Sequence, residues 1–205
     1  MKATQIGLTL GLVAPVVAAV LGIGIHTAHA GCIAAGTYTV SSSNTSFKVG
    51  TATAKCTSTT ATFTLTAQQC GDPNCIPLPP PSFSGCTVSS SGFNFAATLT
   101  ANQTNGSWQI CLKTDSTSST GITGTLSIPQ DGLKAVASVL GQTCTTTAAR
   151  GGSATLAGPW SNAPTSSVTF TNQSVPVTTT GGFPCPSATT STASGTYQVS
   201  PGITF

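Results

Sequence analysis

Glutamate is absent from this chain, and histidine is absent beyond residue 30, because His26 and His29 both lie in the first thirty residues. Most nucleophilic catalysis needs a base beside the nucleophile, and that base is usually histidine. Ser-His-Asp hydrolases and Cys-His proteases are therefore excluded for a chain that begins after residue 30. No S-x-x-K motif offers a lysine as a substitute base.

Carboxylates are also scarce, since the only acidic side chains are Asp72, Asp115 and Asp131. Glycosidases normally need two carboxylates across the scissile bond. Each aspartate has a structural explanation, because each stands in a turn or polar loop, where aspartate binds its own backbone. The sequence therefore predicts no catalytic residue and no enzymatic activity.

Metal and phosphate sites lack their usual residues as well. Cys70 and Cys75 are not followed by a second closely spaced pair, as a zinc knuckle would require. Calcium needs clustered carboxylates, and no glycine-rich phosphate loop is present. We predict no metal and no cofactor.

Charge is low, at 4% of residues. Beyond residue 30, five basic side chains and three acidic ones are scattered along the chain, which disfavours nucleic acid and anionic membranes as partners. Serine and threonine supply the polarity instead. A nearly neutral, hydroxyl-rich surface is compatible with self-association or display on a cell surface.

What is present begins with residues 1–30, which have the features of a secretory signal peptide. Lys2 precedes an apolar stretch interrupted by Pro15, and the small residues before Gly31 form an A-x-A cleavage site. No twin arginine is present, so we predict Sec export, cleavage near Ala30–Gly31, and no membrane span in the mature chain. The alternative is a retained membrane anchor.

Eight cysteines in an exported chain predict a disulfide framework. Pairing cannot be deduced from spacing, but Pro73 presets a turn that favours a Cys70–Cys75 bond. Cys86 is expected to pair farther away. Lipidation of Cys32 in H-A-G-C is the less favoured alternative, because His29 stands where a lipobox has an aliphatic residue. The disulfide cysteines are Cys32, Cys56, Cys70, Cys75, Cys86, Cys111, Cys144 and Cys185.

Apolar residues alternate with threonine or serine in many segments, as in A-T-F-T-L-T at 61–66, and turn signals separate these segments. We therefore predict one all-β domain over residues 31–205, an antiparallel β-sandwich that is immunoglobulin-like or similar. A closed β-barrel is the alternative. Residues 71–85 are predicted to form a Pro-rich crossover, and 133–140 is the one segment where a short helix also fits.

Aromatic side chains are the candidate binding residues. Trp108 alternates with Ile110 and Leu112, which predicts a core position. Trp160 lies in A-G-P-W-S-N-A-P, where it is interpreted either as an exposed aromatic that stacks on a sugar or as a side chain that caps the end of the sandwich. Tyr38 and Tyr197 are further members of such a carbohydrate platform.

From Phe83 to about residue 201 the chain resembles a type of uncharacterised secreted protein of actinobacteria. The residues that carry the resemblance include F-S-G-C-T-V, S-W-Q-I-C-L-K, G-T-L-S-I-P and the closing G-T-Y-Q-V-S-P. The resemblance implies an exported, cysteine-paired β protein in a Gram-positive envelope setting. It implies no activity and no binding residue.

These observations favour a non-catalytic protein of the cell envelope or the medium, with a structural or interaction role. The alternative function is a carbohydrate- or ligand-binding module that acts through Trp160. An envelope pore is a third, less favoured hypothesis, based on the alternating set that ends in Phe205.

Overall fold

A computed structural model describes residues 31–162 and 164–205. The predicted signal peptide, residues 1–30, lies outside the described residues. Within them the chain is all-β and antiparallel, as the sequence predicts, and it contains no helix. The described part thus has no helix of the length and hydropathy that crossing a membrane requires.

Fifteen strands form in the described residues. Their bounds are β1 Cys32–Ile33, β2 Gly36–Ser42, β3 Thr45–Val49, β4 Ala52–Leu65, β5 Gln69–Cys70, β6 Asn74–Leu78, β7 Ser82–Ser90, β8 Phe93–Ala101, β9 Trp108–Thr114, β10 Ile122–Ile128, β11 Leu133–Val139, β12 Gln142–Ala148, β13 Ala154–Ser161, β14 Ser166–Thr180 and β15 Thr190–Ser200.

Strand β4 illustrates why the sequence folds in this way. Phe63 and Leu65 are buried, whereas Thr62 and Thr64 are exposed on the opposite face. The hydroxyl oxygen of Thr64 lies 3.0 Å from that of Thr37 on β2, so the exposed threonines form cross-strand pairs. The alternation in the sequence therefore corresponds to one apolar face and one hydroxyl-covered face.

The short helix considered for residues 133–140 is not formed. Leu133–Val139 is strand β11, and it pairs with β8 on one side and β12 on the other. Both neighbours pair with residues 133–137, and β12 also pairs with Ser138 and Val139, so backbone groups along β11 are hydrogen-bonded. The apolar residues fit both periods locally, and the long-range pairing selects the strand.

Thirteen strands form one sheet, in the order β2-β15-β3-β4-β7-β8-β11-β12-β14-β13-β10-β9-β6, while β1 and β5 form a separate two-stranded sheet. The long strands β4, β14 and β15 exchange neighbours midway. Strand β14, for example, pairs with β13 through residues 167–168 and with β12 through residues 177–180. The sheet therefore folds over into two connected halves with inward-facing apolar sides, a sandwich-like arrangement.

The first half, which we call the ring half, is a circuit of eight paired strand segments. Pairing runs from β15 through β3, β4, β7, β8, β11, β12 and β14 and returns to β15. Each segment of the circuit therefore has a hydrogen-bonded neighbour on both sides, which removes exposed strand edges from this half.

The second half, which we call the dense half, contains β2, β6, β9, β10, β13 and the remaining parts of β4, β14 and β15. Its interior holds the largest buried side chains, including Trp108, Trp160 and Phe170. Tyr38 stacks on Phe63 with 5.3 Å between the ring centroids. One continuous apolar core extends from this half into the ring half.

All eight cysteines form disulfide bonds, as predicted. Three of the four bonds join residues that lie directly opposite each other on neighbouring strands, with Cα atoms 4.0 or 4.1 Å apart. The fourth joins β12 to the loop after β14. The four bonds are Cys32–Cys70, Cys56–Cys86, Cys75–Cys111 and Cys144–Cys185.

The predicted Cys70–Cys75 bond is wrong. Cys70 lies in β5 opposite Cys32, and Cys75 lies in β6 opposite Cys111, so the two cysteines belong to different sheets. Strand register, which local spacing does not reveal, placed each beside a distant partner. The bond at Cys32 also contradicts lipidation of that residue, because a lipid thioether would consume the thiol.

The Pro-rich crossover is shorter than the predicted 71–85. Asn74–Leu78 forms β6 and Ser82–Ser90 forms β7, so only residues 79–81 link the two strands. Pro77 is accommodated because β6 is an edge strand, where a residue without an N–H group is tolerated. Cys86 pairs with Cys56, thirty residues away, which confirms the prediction that its partner is distant.

Candidate functional site

Four connections of the ring half lie at one end, which we call the ring mouth. Strand register places them there. Thr53 is opposite Ser89, so the β3–β4 and β7–β8 turns are neighbours, and Thr145 is opposite Thr180, so the β11–β12 turn lies beside the loop after β14. The pairing of β8 with β11 joins these two groups. The connections are residues 50–51, 91–92, 140–141 and 181–189.

The longest of these connections, residues 181–189, crosses the ring mouth, and we call it the cap loop. On one side the Cys144–Cys185 disulfide fastens it to β12. On the other side it approaches the β3–β4 turn, since a β-carbon built on Gly50 would lie 3.9 Å from Cβ of Pro186. The cap loop is therefore fastened to β12 on one side of the ring and passes close to the β3–β4 turn on the other.

Beneath the cap loop lies an apolar cavity of about 70 Å³. Its walls include Ala54, Val88 and Ala135, which face inward yet remain half-buried, and Pro184 and Pro186 of the cap loop. A cavity of about 150 Å³ holds one benzene molecule. The ring-half cavity is therefore too small for a sugar ring, although the end of an aliphatic chain fits its size.

Large exposed apolar side chains are concentrated at the ring mouth. In the part of the chain that the structure describes, three such side chains are exposed: Phe93 at 62%, Leu140 at 69% and Phe183 at 96%. Phe93 follows the β7–β8 turn, Leu140 stands in the β11–β12 turn, and Phe183 lies in the cap loop. Exposed apolar groups gathered at one place indicate an interaction surface.

Leu140 also has an unfavourable backbone conformation. Its φ is 51°, and that of Gly141 is 81°, so both turn residues are in the left-handed region that such a two-residue hairpin turn requires. Asparagine and glycine adopt this region readily, whereas a bulky side chain there is an outlier. Leu140 is thus unfavourable in free energy for two reasons: its backbone is in the left-handed region, and its apolar side chain is exposed to water.

Charges differ between the two halves. The ring half carries Lys48, Lys55, Lys134 and Arg150 against one carboxylate, Asp131, which leaves an excess of three positive charges. Arg150 lies 3.3 Å from Asp131, at the end opposite the ring mouth.

The dense half has the opposite sign, because Lys113 stands against Asp72 and Asp115. Charges that are scattered in the sequence are therefore segregated in the fold. Lys48 is exposed two positions before the β3–β4 turn, and Lys55 is exposed four positions after it. Lys48 and Lys55 are thus the cations closest to the ring mouth, and among the described residues no carboxylate lies at this end.

Trp160, the residue selected from sequence for carbohydrate binding, is fully buried in strand β13 at 0% exposure. Its indole N–H donates to Oδ1 of Asn162 at 3.0 Å, and that oxygen also accepts from the backbone N–H of Phe205. The exposed-aromatic interpretation is wrong. Trp160 fills the end of the dense half, as the alternative interpretation proposed.

The other aromatic candidates are not on the surface either. Trp108 and Tyr38 are buried, and Tyr197 is largely covered. Burial raises the pKa of the Tyr197 hydroxyl, and the hydrogen bond that Thr45 donates to it at 3.1 Å opposes this effect. These rings form no exposed platform for stacking on a sugar.

Each aspartate has a structural partner. Asp72 accepts the backbone N–H of Thr114 at 3.0 Å and also binds the hydroxyl of that residue. Asp115 accepts hydrogen bonds from the hydroxyl of Thr117 in the same loop and from that of Thr123 in β10. The described residues contain no group of three or more His, Cys, Asp or Glu side chains suited to a metal.

Known proteins offer no template for this chain, since no protein-family model, no curated protein and no solved structure matches it. The three apolar residues of the ring mouth are not singled out by the sequence. Each stands next to a glycine in a turn or loop, in G-F at 92–93, L-G at 140–141 and G-F at 182–183. That neighbour does not identify them, because Ile122 and Leu133 also follow glycines and are buried.

Proposed function

We propose that this is a non-catalytic protein, exported by the Sec pathway, that binds an envelope component through the ring mouth. The observation that carries the proposal is the presence of Phe93, Leu140 and Phe183, exposed, at one end of a fold whose remaining surface is rich in serine and threonine. The disulfide-linked strands supply a rigid support for this surface.

Export is supported by the signal-like segment 1–30 and by four disulfide bonds, which persist in oxidising compartments. We expect the mature chain to begin at Gly31. The resemblance of residues 83–201 to secreted actinobacterial proteins supports a Gram-positive envelope as the setting.

The absence of catalysis is supported by the chemistry of the side chains. Beyond residue 30 the chain offers neither histidine nor glutamate as a base, and its cysteines are held in disulfides. Asp72 and Asp115 accept hydrogen bonds from threonines, and Asp131 pairs with Arg150. No described carboxylate is left for acid–base work.

The test is co-sedimentation of the purified mature chain with actinobacterial envelope fragments. We expect wild type to pellet with the fragments, and a triple variant, Phe93→Ser with Leu140→Asn and Phe183→Ser, to stay in the supernatant. All three positions are exposed, so the variant retains the core and its thermal unfolding serves as the check of folding.

Ser91→Asn is the matched control. Ser91 stands in the neighbouring turn with φ 49°, almost the same as that of Leu140, but it contributes no large apolar surface. It should pellet as wild type does. Equal binding of wild type and the folded triple variant, or no binding by either, would refute a role for the ring mouth.

A further inference from the structure

Resting on the function proposed above, we propose that the ring mouth docks on a lipid bilayer with anionic headgroups. Phe93, Leu140 and Phe183 would insert at the boundary between headgroups and acyl chains, while Lys48 and Lys55 would contact the phosphates. This identifies the partner as a lipid surface and assigns each of the five residues a role.

The arrangement of the three apolar side chains fits a bilayer. Phe93 begins β8, Leu140 stands in the β11–β12 turn and Phe183 lies in the cap loop, so all three are exposed at the same end of the ring half. Shallow interfacial insertion buries such groups about 5–10 Å deep. The Cys144–Cys185 bond ties the cap loop to β12 two residues from Phe183, which restricts the loop and reduces the ordering cost of binding.

Leu140 gives an independent reason to expect a partner at this end. Folding gains nothing visible from a leucine that is 69% exposed and has a φ of 51°. A residue that is unfavourable in the free protein, both for its backbone and for its hydration, points to a function in the bound state. Insertion into a bilayer would remove the hydration cost.

The charge distribution decides between a lipid surface and a second copy of the chain. Two copies meeting through their ring mouths would bring Lys48 and Lys55 of one close to the same lysines of the other. Anionic headgroups instead attract lysines near the surface. At about 3.3 Å per residue, Lys48 lies about 7 Å and Lys55 about 13 Å behind the β3–β4 turn, so Lys48 is the closer of the two to the headgroup layer.

A lipid partner differs from the expectation that anionic membranes are disfavoured. That expectation rested on charges that are scattered along the sequence, whereas the fold collects the unpaired lysines Lys48, Lys55 and Lys134 in the ring half. The apolar residues supply most of the binding, and the lysines supply its dependence on lipid charge.

The experiment uses the purified mature chain and sedimentation with vesicles of phosphatidylcholine, with and without phosphatidylglycerol. We expect binding to the mixed vesicles that weakens as salt increases. Leu140→Asn should reduce the partition constant about tenfold, since burial of one large apolar side chain is lost. Lys48→Gln with Lys55→Gln should remove the preference for phosphatidylglycerol.

Matched controls separate binding from folding. Leu140→Asn should raise the unfolding temperature, because asparagine tolerates the left-handed region, so weaker binding cannot come from unfolding. Ser91→Asn in the adjacent turn should bind as wild type does. Lys113→Gln removes the same charge as Lys48→Gln but from the dense half, and it should leave vesicle binding unchanged.

Three outcomes would overturn the proposal. If wild type pellets with envelope fragments but not with either vesicle, the lipid partner is excluded while the proposed function stands. If neither preparation is bound, both fail. If the chain forms a dimer that the triple variant abolishes, and vesicles are not bound, the occupant of the ring mouth is a second copy.

Discussion

The two halves of the molecule share strands and one core, yet they use large apolar residues in opposite ways. In the dense half, Trp160 and Phe170 are inside and almost inaccessible. In the ring half, alanines such as Ala54 and Ala135 line a cavity, while Phe93 and Phe183 are outside. The dense half buries its large side chains around a cavity of about 40 Å³, whereas the ring half lines a larger cavity with small residues and exposes its large side chains.

This difference shows that an apolar, strand-like sequence does not by itself tell whether a large side chain belongs to the core or to the candidate site. In most all-β domains an aromatic residue in an apolar alternating segment is a core residue, and Trp108 follows that rule. The ring half departs from it at the turns, where polar residues are usual. Local departures from the folding rules are expected at functional sites.

The largest effect on this comparison should come from Trp160→Ala. Removing a fully buried tryptophan leaves a cavity in the dense half, and we expect a loss of about 3–5 kcal/mol in the free energy of unfolding. Denaturant unfolding with the disulfides intact measures it. Trp160→Phe, which keeps most of the apolar volume but removes the hydrogen bond to Asn162, should lose less.

A loss below about 1 kcal/mol for Trp160→Ala would contradict the assignment of Trp160 to a tightly packed position in the core of the dense half. The triple variant of the ring mouth provides the contrast, because its three exposed substitutions should cost little stability. If the two variants lost a comparable free energy of unfolding, the buried and the exposed large apolar residues would not differ in their contribution to stability.

Filling the ring-half cavity should have a smaller effect of the opposite sign. Ala135→Val adds two methyl groups where about 70 Å³ is empty, and we expect a gain of about 0.5–1 kcal/mol in unfolding free energy. The matched change Ala154→Val, at a buried position of the dense half, should instead cost about 1–3 kcal/mol through overpacking. Destabilisation by both variants would show that the two interiors are equally tight.

Much of the fold was predictable because alternation is a local property. Phe63 and Leu65 were correctly assigned to the buried face, and Trp108 to the core. The predictions that were wrong are those that depend on which strands pair over long sequence distances. Cys70 and Cys75 are five positions apart in the sequence but lie in different sheets, and only strand register shows this.

The candidate site was not predictable from composition. Its residues come from four connections that are distant in the sequence and become neighbours through the pairing of eight strand segments. Trp160 was selected because prolines surround it, yet β13 continues through Pro159 and carries Trp160 into the core. The glycines next to Phe93 and Leu140 do not identify the site either, because Leu133 also follows a glycine and is buried.

The smallest expected effect concerns the charges that distinguish the halves. Hydrogen bonds from the Thr117 hydroxyl, the Thr123 hydroxyl and the Thr117 backbone N–H, with Lys113 nearby, lower the pKa of Asp115 to about 2. Its unfolded pKa is about 3.9. Because the folded value is the lower one, the ionised carboxylate stabilises the fold above about pH 4, and this contribution is lost as pH falls toward 2.

Asp115→Asn should therefore be slightly less stable than wild type at pH 6 and should lose less stability between pH 4 and pH 2, as followed by thermal unfolding. Asp131→Asn in the ring half is the matched control. Its partner Arg150 is well exposed, so the ion pair contributes little, and asparagine accepts the φ of 54° at that position. If the stability of Asp115→Asn fell with pH as that of wild type does, the threonine hydroxyls would not stabilise the Asp115 carboxylate in solution. The dense half would then have no strongly stabilised carboxylate among its described residues.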